Sequence, residues 1–420
     1  VELSSFGRRL TRDAGISRLM EDFRETRGEN GAGMCMLGGG NPGHIPAVSA
    51  VFRERMRRML ERPGAFEDLI GNYDPPAGQP RFAAALARLL RGELGWDVGP
   101  EHIAVTNGSQ SASFMLFNLL AGRFDDGSDR HVLLPLTPEY IGYADQGLAA
   151  GLFRAPRPRI VELDELTFKY HVDFEALTID EHTAALCVSR PTNPTGNLLT
   201  DPEMARLGAL TRERGIPLIV DNAYGVPFPG ICFAPATPYF DEHVVVLMSL
   251  SKLGLPGVRT GIVVARPELV RAVAAVNAVL NLTTGGFGQA LALELIESGE
   301  IIALGRDRVR PFYQAKAERA VECLRRELDG YPLRVHRPEG AIFLWLWFPE
   351  LPIRSAELYA RAKARGVLVC SGHYFFPGLE GAWRHREECL RVTYAQDDEV
   401  VERGLRILAA EVRRAYDEAG

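Results

Sequence analysis

Short apolar, β-branched runs alternate with helical stretches between residues 103 and 265, and this alternation limits the fold most strongly. Runs at 103–105, 132–134, 184–188, 217–220, 244–248 and 260–265 have strand length. Helical patterns at 109–121, 202–214 and 267–280 stand between several of them. Strands that take turns with helices argue a largely parallel sheet covered by helices on both faces. Earlier in the chain the spacing of Ile16, Leu19, Met20 and Phe23 predicts a helix over 10–27, and further helices are expected over 51–60 and 80–94. The stretch 157–177, RPRIVELDELTFKYHVDFEAL, reads as a short β segment leading into a helix near Asp173. Beyond Gly285 a helical region runs to about residue 328. The strands GAIFLWLWF, GVLVC and CLRVTYA follow, and an amphipathic helix over 397–418 carries Val400, Val401, Leu405, Leu408, Val412 and Tyr416. That tail is a second, α+β domain. The division expected is an N-terminal segment, 1–50, packing with the small domain, a large domain over 51–310 and the small domain over 311–420, since chain ends often lie close.

The chain has 420 residues, enough for two domains and a large core. Its net charge of −6 gives no general reason to expect nucleic acid or an anionic membrane surface. The longest fully apolar run, 341–348, cannot span a bilayer. Residues 1–15 carry no apolar core of the secretory kind. Six scattered cysteines without a C-x-x-C pair suit free thiols in the cytoplasm better than disulfides or a metal site.

Lys252 sits in the loop SLSKLGLPGVRTG, just past the run at 244–248. Ligands of α/β sheets gather at the carboxyl ends of strands. Only four of the 48 Lys and Arg residues are lysine. A lysine can lose its proton and attack a carbonyl, which arginine cannot. Ser249, Ser251 and Arg259 add hydroxyls and a fork of donors suited to phosphate. Together they suggest an aldehyde cofactor that carries a phosphate, pyridoxal phosphate; a solvated loop lysine beside ordinary serines gives the same string. The strand–Gly-Ser–helix start at Ser109 is an anion site or an ordinary capped helix. Tyr140 lies past a strand end, where a ring could stack on a pyridine or simply fill space. Asn193 falls in the turn SRPTNPTG. Asp221 follows a strand directly, either to meet a protonated ring nitrogen or to cap a helix. Gly40, in LGGGNP, lets backbone approach a ligand or serves as a connector.

With NPTG at 193–196, D-x-A-Y at 221–224, S-x-S-K…R-x-G at 249–261 and R-x-x-Y at 391–394 in order, the chain resembles the class I/II aminotransferases, the fold-type-I pyridoxal-phosphate enzymes. The resemblance implies an aspartate-aminotransferase-like α/β fold: a large domain with a mostly parallel mixed sheet between helices, plus a smaller α+β domain. It implies that Lys252 condenses with the cofactor aldehyde and then moves the proton, and that Asp221 keeps the pyridine nitrogen protonated. Tyr224 and Asn193 are implied to bond the ring's phenolic oxygen, with Tyr140 on one ring face and Ala223 on the other. Ser109, Gln110, Ser249, Ser251 and Arg259 are implied phosphate ligands. Tyr73 resembles a tyrosine that reaches the phosphate of a second subunit, which implies a homodimer with shared active sites. Arg391 and Gly40 are implied to hold the substrate carboxylate. The strings VSRPTNPTGN, IPLIVDNAYGVPFPGI, MSLSKLGLPG and GHYFFPGL look like family members that exchange an amino group between valine and pyruvate, giving 2-oxoisovalerate and alanine. Ser371 departs from that group, where proline is usual. The competing expectations are another small or aromatic amino donor, a C–S lyase on the same cofactor, and a non-catalytic regulator, which the acidic balance argues against.

Overall fold

Every residue of the strand Val244–Ser249 is buried, and its side chains divide by parity. Val244, Val246 and Met248 enter one core cluster; Val245 and Leu247 enter the other. Its neighbours divide the same way, Leu218 and Val220 against Ile219, and Leu186 and Val188 against Cys187. A strand buried on both faces needs a layer of structure on each side. Residues of the helices Pro80–Leu94, Asp201–Arg214 and Phe287–Glu297 fill the first cluster, and those of Ser109–Leu120 and Pro267–Asn281 fill the second. The computed structural model describes residues 1–11, 21 and 33–419, so most of the helix expected over 10–27 lies outside the described residues.

The sheet runs Ile103–Thr106, Gly261–Val264, Val244–Ser249, Leu218–Asp221, Thr183–Ser189, Asp129–Leu133 and Gly122–Arg123, with Phe153–Arg154 also paired to Asp129–Leu133. Val244–Ser249, Leu218–Asp221, Thr183–Ser189 and Asp129–Leu133 are mutually parallel where they pair. Gly261–Val264 is antiparallel to both its neighbours. Only residues 250–260 join it to the preceding strand, too few for the crossover that a parallel pair requires. The mostly parallel mixed sheet between helices is therefore as expected. No helix among the described residues is long and apolar enough to cross a membrane.

A second sheet has the order Cys370–Ser371, Cys389–Thr393, Phe343–Trp347, Arg334–His336, Thr167–His171 and Arg159–Glu162. Its last two strands correct the expectation of a helix near Asp173. Residues 159–171 form an antiparallel hairpin, and Thr167–His171 pairs in parallel with Arg334–His336, far along the chain. The turn is closed by Asp164, whose Oδ1 accepts from the N–H groups of Leu166 and Thr167 at 2.8 and 2.7 Å. Asp173 uses its side chain the same way, accepting from Glu175 and Ala176, and a carboxylate that bonds the backbone two and three residues on stabilises a turn. At the other end of the chain, Cys35–Met36 pairs in parallel with Val367–Leu368. The closing helix Asp398–Asp417 buries Val401, Leu405, Leu408 and Val412 against the helices Arg310–Glu327 and Ser355–Ala364.

A buried ion pair fastens the hairpin to its surroundings. The Lys169 ammonium, 2% exposed, pairs with Glu339 and donates to the Leu198 carbonyl at 2.8 Å. Glu339 also accepts from the Leu198 N–H at 3.0 Å and from Arg337. Burial acts to raise the Glu339 carboxyl, but the Lys169 charge and hydrogen bonds hold it below the usual range. Removing one partner leaves the other buried without a counter-charge. Glu339→Ala is expected to cost roughly 3–5 kcal/mol in urea unfolding; a loss within the range of an exposed pair, about 1 kcal/mol or less, would show that the pair does not hold the hairpin.

Candidate active site

The parallel strands end at one edge, and the loops that leave there line a cavity of about 150 Å³. One end is built for an anion. Gly108 precedes the helix Ser109–Leu120 with no side-chain cap, so first-turn N–H groups point outward, with Ser109 and Gln110 on the cavity wall. Ser249, Ser251 and Arg259 come to the same wall. A Cβ on Gly108 would lie 2.2 Å from Arg259 Nη2, and one on Gly261 would lie 2.4 Å from Ser109 N. Glycine at both places lets the guanidinium and the helix start close on one point.

The other end holds a carboxylate. Asp221 closes the strand Leu218–Asp221, and no helix follows, which removes the helix-cap alternative. Its Oδ2 accepts from the Tyr143 hydroxyl at 2.6 Å and its Oδ1 from the Ala223 N–H at 3.1 Å. Burial pushes its carboxyl up, while the Tyr143 and Ala223 hydrogen bonds and the Lys252 charge favour the ionised form. Between the two ends stands Lys252, whose Nζ donates to the Gly40 carbonyl at 2.6 Å and lies 5.3 Å from the Tyr224 ring centroid. Burial first, then the charges of Arg391 and Arg259, bring its pKa from 10.5 down to about 8, against the pull of Asp221. Tyr140, Asn193, Ala223 and Tyr224 complete the wall.

Arg391 enters from the second sheet. It lies on Cys389–Thr393, is 2% exposed, and donates to Asn193 Oδ1 at 2.8 Å, to the Gly38 carbonyl at 2.7 Å and to Cys370 Sγ at 3.2 Å. Its Nε has no hydrogen-bond partner among the described residues. The guanidinium packs 4.2 Å from the Phe343 ring centroid and 5.0 Å from that of Phe375. Ser371, beside Cys370 in the chain, bonds Ser355 Oγ and His373 Nδ1, each at 2.8 Å.

Eleven of the residues singled out in the sequence thus line one cavity: Ser109, Gln110, Tyr140, Asn193, Asp221, Ala223, Tyr224, Ser249, Ser251, Lys252 and Arg259. Gly40 and Arg391 touch it through Lys252 and Asn193. Tyr73 stands apart, 80% exposed on the surface. Sequence reasoning passed over Ser113, Ser189 and Pro191 on the wall, and Tyr143 and Glu139 behind it. The last two flank Tyr140 in PLTPEYIGY; a carboxylate in so apolar a stretch was the available signal. The donor set fits pyridoxal phosphate: hydroxyls, arginine and helix N–H groups for the phosphate, a carboxylate for the ring nitrogen, and an amine of depressed pKa between them for the aldehyde.

A mixed α/β sheet with this lysine, aspartate and anion site at its carboxyl edge defines an enzyme that works through a bound aldehyde cofactor. The chain belongs to the class I and II aminotransferases, whose family model matches residues 56–408. It is 50% identical to the valine–pyruvate aminotransferase of Escherichia coli (strain K12) over 416 residues, covering 99% of each chain. The crystal structure of valine–pyruvate aminotransferase AvtA from Salmonella typhimurium LT2 superposes with a TM-score of 0.89 at 49% identity, covering 96% of this chain and 100% of that one. LysN, an α-aminoadipate aminotransferase from Thermus thermophilus solved with N-(5'-phosphopyridoxyl)-L-leucine, gives a TM-score of 0.78 at 25% identity, covering 99% of this chain and 98% of that one.

The state of the Lys252 amine can be tested without turnover. Only the neutral amine attacks an aldehyde, and the depressed pKa makes it free above about 8 rather than 10.5. The rate at which the apoenzyme condenses with a simple aromatic aldehyde should climb with pH, level off past that midpoint, and vanish in Lys252→Ala. A rate still rising through the ordinary lysine range would remove the claim of an activated amine.

Proposed function

We propose that the chain transfers the amino group of valine to pyruvate, giving 2-oxoisovalerate and alanine, with pyridoxal 5'-phosphate as cofactor. When bound, the cofactor supplies an aldehyde that takes up the amino group and a ring that accepts the electrons released at Cα. Lys252 holds the aldehyde at rest and then carries the proton at Cα. Asp221 would meet the ring nitrogen and keep it protonated. Tyr224 and Asn193 would bond the phenolic oxygen, and Tyr140 and Ala223 would hold the ring between them. Ser109, Gln110, Ser249, Ser251 and Arg259 hold the phosphate. Arg391 binds the substrate α-carboxylate with two parallel hydrogen bonds, beside the Gly40 backbone.

The observation that carries the substrate reading is the setting of Arg391. Its guanidinium lies against Phe343 and Phe375, and among the described residues Arg259, at the phosphate end, is the only arginine that lines the cavity. A distal carboxylate on the substrate would be desolvated there without a partner. Apolar discrimination is shallow, about 1–3 kcal/mol per methylene, so valine, alanine and 2-aminobutyrate should all serve as donors at different rates. Aspartate and glutamate should be poor. Steady-state kcat/KM with pyruvate as acceptor checks this, and an acidic donor that beats valine sinks the valine–pyruvate reading while leaving the aminotransferase assignment intact. In the same assay Arg391→Lys should weaken every donor by roughly 2–5 kcal/mol, since an ammonium cannot reproduce the paired geometry.

The same reading makes the enzyme a cytoplasmic homodimer with shared active sites. Its six cysteines are buried and none takes part in a disulfide, which suits a reducing compartment. Tyr73 is 80% and Val279 85% exposed, and Ile70, Leu280 and Leu282 are exposed as well. The segment beyond them is tied to the anion end, where the Gly285 N–H donates to Asn107 Oδ1 at 3.2 Å. A second copy covering this apolar patch would bring the partner subunit's Tyr73 to the phosphate. Sedimentation should therefore report twice the 46.3 kDa chain mass, with monomers produced by Val279→Glu; a monomeric active wild type refutes the shared site.

A further inference from the structure

A second carboxyl group lies beneath Asp221, and the reaction as proposed does not use it. Glu139 has no exposed surface. Its Oε1 accepts from the Ser189 N–H at 2.7 Å, and its Oε2 accepts from the Tyr140 N–H at 3.3 Å and bonds the Ser189 hydroxyl. Ser189 Oγ stands 3.5 Å from the Tyr143 hydroxyl, which donates to Asp221 Oδ2 at 2.6 Å. Four side chains thus form a line from Glu139 to the cavity wall.

Counting hydrogens gives the line a direction. Tyr143 has one hydroxyl hydrogen, committed to Asp221, so it can only accept from Ser189. Ser189 also has one. An ionised Glu139 would take that hydrogen and leave two oxygens facing each other at the Ser189–Tyr143 contact. A protonated Glu139 donates to Ser189, Ser189 donates to Tyr143, and every hydrogen points toward Asp221.

The surroundings favour the protonated form. Among the described residues no cation forms an ion pair with Glu139. The titratable groups facing it are Asp221 on Leu218–Asp221, Cys187 on Thr183–Ser189, and Tyr140 and Tyr143 on its own segment. From the turn Gly372–Phe375 it meets the Phe375 carbonyl, which accepts the Glu139 N–H at 2.8 Å, while His373 Nδ1 of that turn bonds Ser371. Burial raises the Glu139 carboxyl to about 8, with the Asp221 charge adding to it and the Ser189 hydrogen bonds opposing it.

We propose that Glu139 is a positioning residue: held as a neutral acid, it orders the Ser189 and Tyr143 hydroxyls so that both donate toward Asp221 and keep that carboxylate ionised against the cofactor's ring nitrogen. This rests on the role given to Asp221 above. Two variants separate the alternatives. Glu139→Gln keeps a donor and an acceptor but cannot ionise, and Glu139→Leu removes both. Infrared difference spectra of the apoenzyme, from acid to alkaline pH, read the carbonyl stretch of a protonated carboxylic acid. The wild type should lose one such band with a midpoint at about 8, and Glu139→Gln should lack it. In the holoenzyme, the pH midpoint of the bound cofactor's visible absorption should move by on the order of one unit in Glu139→Leu, and Glu139→Gln should restore it. If Glu139→Leu does not fold, Ser189→Ala cuts the line at its middle and is expected to give the same shift. An acid band that is missing in the wild type or survives in Glu139→Gln overturns the proposal, and so does an unshifted midpoint in the interrupted variant. Asp221→Asn keeps the two readings apart. If that variant leaves the cofactor's absorption unchanged, the Asp221 role fails, while the apoenzyme band still reports on Glu139.

Discussion

Parallel strands can be buried on both faces only if their connections cross over the sheet, and so their carboxyl ends leave along one edge. In this chain that edge receives the segments carrying Tyr140, Asn193, Asp221 and Lys252. One short return, residues 250–260, joins an antiparallel pair. It turns the chain back so that Arg259 faces Gly108 at the start of the helix Ser109–Leu120. The anion end of the cavity therefore depends on one of the antiparallel pairings that make the sheet mixed.

Charge within the cavity is arranged by what each group can do with its proton. Arg259 and Arg391 stay charged, one at the anion wall and one behind Asn193. Lys252, half-buried and within reach of both charges, yields its proton because it is the only one of the three that can. Asp221 offsets part of that effect. Its own burial would neutralise it, and the donors behind it work the other way. An amine ready to attack and a carboxylate ready to hold a proton nearby follow from one desolvated site with uneven hydrogen bonding.

The two sheets share one apolar core cluster and also meet through polar contacts. Arg391 from the second sheet bonds Asn193 at the edge of the first, and Glu339 bonds both Lys169 and the Leu198 backbone that follows the NPTG turn. These groups are nearly inaccessible to water, so each is costly unless all its partners are present. Packing alone would allow the sheets several arrangements; buried charges allow few.

Much of this was legible in the sequence because the signals are local. Strand length, helical spacing and the order of four short motifs need no long-range information, and they led to the parallel sheet, to Lys252 and Asp221, and to the wall around them. The hairpin over 159–171 was read as leading into a helix because its partner strand, Arg334–His336, lies far along the chain and no local pattern points to it. Glu139 and Tyr143 were passed over beside Tyr140 because the sequence does not say which of three neighbouring polar groups faces the cavity and which stand behind it. Residue types and their order determined which chemistry is available. The tertiary structure decided which groups lose their water and which partners replace it, and proton affinity depends on that exchange between residues distant in the chain.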